Sequence, residues 1–199
     1  MNEEVGLRER KKRERRRCIE DAAIDLFEDH GFDRTTIDQI AAAADIAPRT
    51  FFSYFPTKED VVLADYSTRL ERIIDELRER SESEPPWDAL QASFLVVAAD
   101  YEAARDDLVR RFTIMAANGT VYARSLQLQA GWEDALAEVL RQRANQKTED
   151  LESRLLASTA LACMRSSLRH WLLTGHNAAL PALIQTCFGQ LADGLTHSR

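Results

Sequence analysis

The sequence predicts an all-α fold of about nine helices, and three observations carry that reading. Apolar residues recur at three- and four-residue spacing along nearly the whole chain. No stretch alternates apolar and polar residues for long enough to make a strand. Capping residues, glycines and prolines punctuate the helical runs where helices should begin and end. A chain of 199 residues has room for one domain, or for a small head on a larger body. Its core can be large enough to need neither disulfide nor metal.

The first helix runs from about Arg8 to His30, with Ile19, Ala22, Ala23, Leu26 and Phe27 on one face. Gly31 stops it at the position after the C-cap. Thr36 and Gln39 make a capping box that starts a short second helix, with Ile37, Ile40 and Ala41 turned inward. "DIAP" (45–48) breaks that helix after about two turns. The third begins at Pro48, which suits a first turn, and runs to about Phe55, where Pro56 ends it. Thr57 caps a longer fourth helix that reaches roughly Arg80. "SESEPP" (81–86) is the one composition shift that reads as a joint.

Beyond the joint, Trp87, Leu90, Phe94, Val97, Ala98 and Tyr101 share the face of a fifth helix. Leu108, Phe112 and Met115 mark a sixth, before Asn118–Gly119. A seventh runs from about Thr120 to Arg143, and polar "NQKTED" separates it from an eighth over 150–174, closed by Gly175. The ninth has the cleanest stripe: Leu180, Leu183, Ile184, Cys187, Phe188, Leu191 and Leu195.

Two short helices joined by about four residues, the second capped at both ends, form a helix-turn-helix. In that motif the second helix lies in the major groove of DNA. Phe51 and Phe55, one turn apart, should pack inward on Ile37, Ile40 and Phe27. Arg49, Thr50, Ser53 and Tyr54 then face outward with groups able to bond bases or phosphates. Charge points the same way. Residues 8–17, "RERKKRERRR", hold eight of the 26 Lys and Arg and two of the 33 acids. That segment is +6 in a chain of net charge −7, so the remainder is −13. Like-charge runs serve as solvated tails or as nucleic-acid arms. If the chain binds DNA, its N-terminal quarter does so.

Other classes find little support. No apolar run approaches the ~20 residues of a membrane span, and the N-terminus is charged where a signal peptide is apolar. The chain is therefore expected to be cytoplasmic with no membrane partner. Cys18, Cys163 and Cys187 are few and far apart, and read as reduced thiols. Enzyme signatures such as G-x-S-x-G, H-E-x-x-H or a phosphate-cradling glycine loop are missing. Cys163 and His170 lie seven apart, and two ligands do not make a metal site. Neither catalytic residues, nor a cofactor, nor a metal is expected.

Residues 19–62, "IEDAAIDLFEDHGFDRTTIDQIAAAADIAPRTFFSYFPTKEDVV", resemble the DNA-binding domain of TetR-type one-component regulators. The A-x-x-L-F run, the glycine before a Thr-Thr start, the I-A-x-x-A helix, the Tyr-Phe pair and the lysine just after it carry the likeness. It is close over the first quarter; the rest matches in helix count and order alone. The charge run makes 1–18 a basic arm leading into helix one, and the resemblance implies a DNA-binding domain over 19–64 and a ligand-binding and dimerisation domain over 65–199. It implies a transcriptional regulator that binds double-stranded operator DNA of palindromic sequence as a homodimer. A ligand-responsive repressor released by a small organic effector fits first, with an activator or an architectural DNA binder as alternatives.

The resemblance also implies roles. Thr36 would hold a phosphate with its backbone N–H and hydroxyl, and Tyr54 and Lys58 would grip phosphate elsewhere. Arg49 and Thr50 would enter the major groove, Arg49 well suited to guanine O6 and N7. Ser53 belongs to the same face. Family members often have glycine where Arg49 stands and tyrosine where Phe52 stands. Phe52 cannot donate to a phosphate, so it either touches a thymine methyl or packs. Arg13, Arg16 and Arg17 of the arm would follow the minor groove or the flanking backbone.

In the body, "LLASTALACM" (155–164) is apolar or small on nearly every face and must be covered on two sides. With the last helix it predicts a four-helix dimer interface through Leu156, Ala160, Leu180, Leu183, Ile184, Cys187, Phe188 and Leu191. Phe94, Tyr101, Phe112, Met115, Tyr122, Trp132, Met164 and Trp171 read either as core or as the lining of an effector pocket. Arg165 and Arg169, one turn apart, either counter a ligand's negative charge or make surface ion pairs. The fourth helix, continuous from Thr57 to about Arg80, would be the lever joining head to body.

Overall fold

The computed structural model describes residues 2–143, 150–175 and 177–194, and among them it is all helix and loop with no strand. Ten helices follow in order: α1 (Asn2–His30), α2 (Ile37–Ala43), α3 (Pro48–Phe51), α4 (Lys58–Val62), α5 (Tyr66–Glu79), α6 (Pro86–Ala103), α7 (Arg105–Ala117), α8 (Gly119–Arg143), α9 (Asp150–Leu173) and α10 (Leu180–Ala192). None is long and apolar enough to cross a membrane, among the described residues.

The chain divides into two compact units. One comprises Met1–Ala64 with Val109–Ser125, the other Asp65–Leu108 with Leu126–Arg199. Residues 109–125, read from sequence as part of the body, thus cluster with the head.

In the first unit the local signals do what their chemistry dictates. Gly31 takes φ +87, and its N–H donates to Phe27 O at 3.0 Å, which closes α1. Thr36 caps α2 reciprocally: its hydroxyl accepts from Gln39 N–H while Gln39 Oε1 accepts from Thr36 N–H at 2.8 Å. Asp45 adopts φ +52 in the turn, a left-handed position that a short polar side chain tolerates. Pro48 opens α3. Ile19, Ala23, Phe27, Ile40, Ala41, Phe51, Phe55, Val61 and Val62 form the core.

The sequence reading of one long fourth helix is corrected here, which is why ten helices replace nine. α4 ends at Val62 and α5 starts at Tyr66. Backbone carbonyls at the break serve side chains from other elements. Val61 O accepts from Arg111 Nη1 at 2.8 Å, and Ala64 O accepts from Arg16 Nη2 at 3.1 Å. Buried Leu63 and Ala64 anchor the corner. A lever continuous through residues 57–80 does not exist.

In the second unit, α10 lies against α6 and α9, and α5 lies against α6. Trp87 and Phe188 meet at 4.5 Å between ring centroids, and Phe94 reaches the same Phe188 ring. Arg143 crosses to the end of α5, donating to Leu77 O, Arg80 O and Ser81 O. Those are the carbonyls a helix C-terminus leaves without intrahelical partners. Glu102 accepts from Leu180 N–H at 2.8 Å and so caps α10.

Candidate nucleic-acid interface

The outer face of α3 is set by what its inner face must bury. Phe51 and Phe55 are fully enclosed, 5.8 Å apart between centroids. A helical turn then directs Arg49, Phe52 and Ser53 the other way, and all three are exposed. Thr50 and Tyr54 are half-buried at the flanks. The result is a short, stiff ridge on an aromatic floor, carrying one guanidinium, one hydroxyl and one apolar ring.

Two sequence-predicted phosphate groups have prior engagements. Lys58 Nζ donates to Phe32 O at 2.8 Å and Thr35 O at 2.9 Å, and sits 4.4 Å over the Phe32 ring. Its charge closes the loop between α1 and α2 from within. Thr36 N–H and hydroxyl are likewise used in the capping box. These bonds take two of the three ammonium donors of Lys58 and the backbone N–H of Thr36.

The arm is helical. Arg13 and Arg17 are exposed on α1, whereas Arg16 turns inward. Its guanidinium stacks 4.4 Å over Phe55, pairs with Glu20 at 3.0 Å and reaches Ala64 O. Arg16 is therefore a strut between α1 and the chain that follows α3, and Arg13 and Arg17 are among the arm's outward charges.

Sequence reasoning did not single out three arginines of the 109–125 segment. Arg111, buried, donates to Glu20 Oε2 at 3.1 Å as well as to Val61 O. Burial holds the Glu20 carboxyl above the usual carboxylate range, against the opposing pull of Arg111 and Arg16. Arg110 forks onto Glu28 and Asp25 of α1, and Arg124 pairs with Asp60 of α4 at 3.0 Å. The only sequence hint was the Arg-Arg pair at 110–111, which periodicity reads as a solvated face.

The ten effector-pocket candidates are divided between the two units. Phe112, Met115 and Tyr122 fall in the first unit and the others in the second. Phe94, Tyr101, Trp132, Met164 and Trp171 are buried, while Tyr122 is exposed. Tyr101 lies beneath the Arg69 guanidinium at 3.8 Å, and Tyr66 meets Trp132 at 5.4 Å. Arg165 and Arg169 are both exposed, and Arg165 bonds Gln129 at 2.8 Å. An open cleft of about 620 Å³ in the first unit is lined by Phe27, Phe32, Arg34, Ile114 and neighbours, and by none of the ten.

The interface candidates divide by their burial within one chain. Ala160, Leu180, Ile184 and Phe188 are already enclosed within one chain, because α10 spends its stripe on α6 and α9. Leu156, Leu183, Cys187 and Leu191 are half-buried, and Leu195 lies outside the described residues. Cys187 accepts from Ser167 Oγ at 3.2 Å, and burial pushes the neighbouring Cys163 thiol up to about 12, so it stays protonated near neutrality. No cluster of three or more metal-ligating side chains occurs among the described residues.

The chain is similar to known proteins in sequence and fold. Residues 19–64 match the family described as bacterial regulatory proteins, tetR family, and residues 84–196 match the MftR C-terminal domain. The chain is 31% identical over 180 residues to the "putative mycofactocin biosynthesis transcriptional regulator MftR" of Mycobacterium tuberculosis, covering 89% of each. It is 33% identical over 150 residues to the HTH-type transcriptional regulator TcmR of Streptomyces glaucescens, covering 75% of this chain and 61% of that one. Among solved structures it is similar to Thermus thermophilus FadR, a TetR-family transcriptional repressor in complex with lauroyl-CoA. That match has 26% identity and a TM-score of 0.64, over 92% of this chain and 96% of the other.

Proposed function

The chain belongs to the TetR family of bacterial regulatory proteins, with an MftR-type C-terminal domain, and from that premise we propose that it is a dimeric repressor released from its operator by a small organic effector. One observation carries the reading: the ridge of α3 exposes Arg49, Phe52 and Ser53 over a floor of buried Phe51 and Phe55. Such a ridge fits a major groove, where a bidentate arginine selects guanine. Arg13 and Arg17 add phosphate contacts beside the operator, and Tyr54 and Thr50 flank the groove. Lys58, Arg16 and Thr36 act as braces that keep the ridge in register.

A palindromic operator needs two such ridges. Leu151, Leu155 and Leu173 of α9 are 74%, 63% and 76% exposed. They fall within about 40° of one another at 100° per residue, so they share one face. Leu151 and Leu155 at one end and Leu173 at the other support this face of α9, which also carries exposed Ser166 and Arg169, as the surface where a second copy packs.

For the effector, the likeness to FadR with lauroyl-CoA supports a medium-chain acyl-CoA thioester as the class to test. Release would act through α7 and α8, each of which has residues in both units. Movement of these helices would be transmitted by Arg110, Arg111 and Arg124 to the acids of α1 and α4. Selection of duplexes from a random pool by the full chain, followed by lauroyl-CoA titration of the complex, tests the proposal. An inverted-repeat sequence should emerge and be released by the thioester. A pool that never enriches would sink the DNA reading, and a complex indifferent to acyl-CoA would sink the effector class.

A further inference from the structure

The ridge of α3 has one member that its chemistry cannot explain as a phosphate contact. Phe52 is 55% exposed at the C-cap of the recognition helix, where a polar residue would cost less. Its ring stands edge-on to Phe51, 5.6 Å between centroids at 88°, and Phe51 is itself fully enclosed and fixed against Phe55. An edge-to-face pair is a favoured aromatic geometry. The exposed ring is therefore aimed outward by a buried one.

Arg49 lies three residues before Phe52 and Ser53 one after, both exposed. Residues three apart are neighbours on a helix surface. On this ridge, then, the hydrogen-bonding groups bracket an apolar one. The major-groove edge of a base pair shows donors and acceptors, and its one apolar group larger than a C–H is the C5 methyl of thymine. We infer that Phe52 reads a thymine methyl in each operator half-site, beside the base that Arg49 bonds. This rests on the operator-binding reading above and names what that site selects.

A phenyl ring has no donor for phosphate, so its affinity comes from burying apolar surface. Burying a methyl against it is worth about a fourfold gain in affinity per half-site, by the transfer value of one methylene-sized group. The inference is sharp because removing that methyl leaves every hydrogen bond of the base pair in place. Intercalation of the ring between bases is the competing use of an exposed phenylalanine on DNA. It would depend on stacking and bending, not on the methyl.

The test uses the full chain and the duplex it selects from a random pool. Each thymine of the selected site is replaced in turn by deoxyuridine, and binding is measured by fluorescence anisotropy for the natural protein and for Phe52→Ala. The natural protein should lose about fourfold per half-site at one symmetry-related thymine. Phe52→Ala should bind the thymine duplex more weakly and show no further loss with uridine there. Four results would overturn the inference: a selected half-site without thymine, equal affinity for thymine and uridine at every position, a uridine loss that survives intact in Phe52→Ala, or an affinity that the Ala variant leaves unchanged. A natural protein that selects no duplex at all would instead remove the operator reading beneath it.

Discussion

Replacing Arg111 with Met removes the cation that joins α7 to α1 and α4 while keeping much of the side chain's volume. Two interactions are lost and one is kept. Nη2 leaves Glu20 Oε2, Nη1 leaves Val61 O, and Glu20 keeps Arg16 alone at 3.0 Å. Stripping one partner from a buried ion pair costs about 3–5 kcal/mol. Arg16 remains, so the expected loss falls below that range, at about 2–3 kcal/mol. That corresponds to a roughly 30- to 150-fold shift in the folding equilibrium at RT ≈ 0.59 kcal/mol.

The loss should depend on pH with a defined sign. Glu20 is already held above its ordinary value by burial, and Arg111 is the first of the forces pulling it down. A raised carboxyl favours folding below its unfolded pKa and loses that contribution as pH rises through the folded value. Without Arg111 the folded value rises further, so the variant suffers most near neutrality and recovers towards acid. Urea unfolding at fixed protein concentration, at pH 7.5 and pH 5, gives the comparison. A double-mutant cycle with Glu20→Gln should show coupling of about 1–2 kcal/mol at pH 7.5. Equal losses at both pH values, with coupling near zero, would refute the reasoning.

Two further outcomes follow from the same packing. Lys58→Met should lower stability by about 1–3 kcal/mol, since Phe32 O and Thr35 O lose a charged donor, yet leave the salt dependence of DNA binding unchanged; Arg17→Ala should do the reverse, reducing that slope by about 0.9 per subunit. Leu155→Lys places a charge on the exposed stripe of α9, and sedimentation should show a monomer that is still fully helical, whereas a dimer unaffected by it would move the interface off this face.

What the sequence revealed was local chemistry. Thr36 and Gln39, Gly31 and Pro48 each act through atoms within four residues, so their signals survive without tertiary knowledge. The outward set of α3 was legible for the same reason, once Phe51 and Phe55 were assigned to the core. The break between α4 and α5 was hidden because its causes, Arg16 and Arg111, lie 48 and 50 residues from the carbonyls they bond. Lys58 carries no mark in sequence of whether its ammonium meets a carbonyl or a phosphate. The stripe on α10 had the right period but no label for its occupant; α6 and α9 of the same chain cover Leu180, Ile184 and Phe188, while Leu151, Leu155 and Leu173 of α9 stay exposed.

The central claim is that the outer face of α3 reads sequence, and Arg49 is where it can be measured most directly. Binding of the natural protein and Arg49→Ala to the selected duplex, and to the same duplex scrambled, should be compared at one salt concentration. The natural protein should prefer the selected duplex by about 10³ or more. Arg49→Ala should give up about 1–3 kcal/mol of that preference per half-site while binding the scrambled duplex nearly as before. Equal weakening on both duplexes would make Arg49 a phosphate contact and contradict the account.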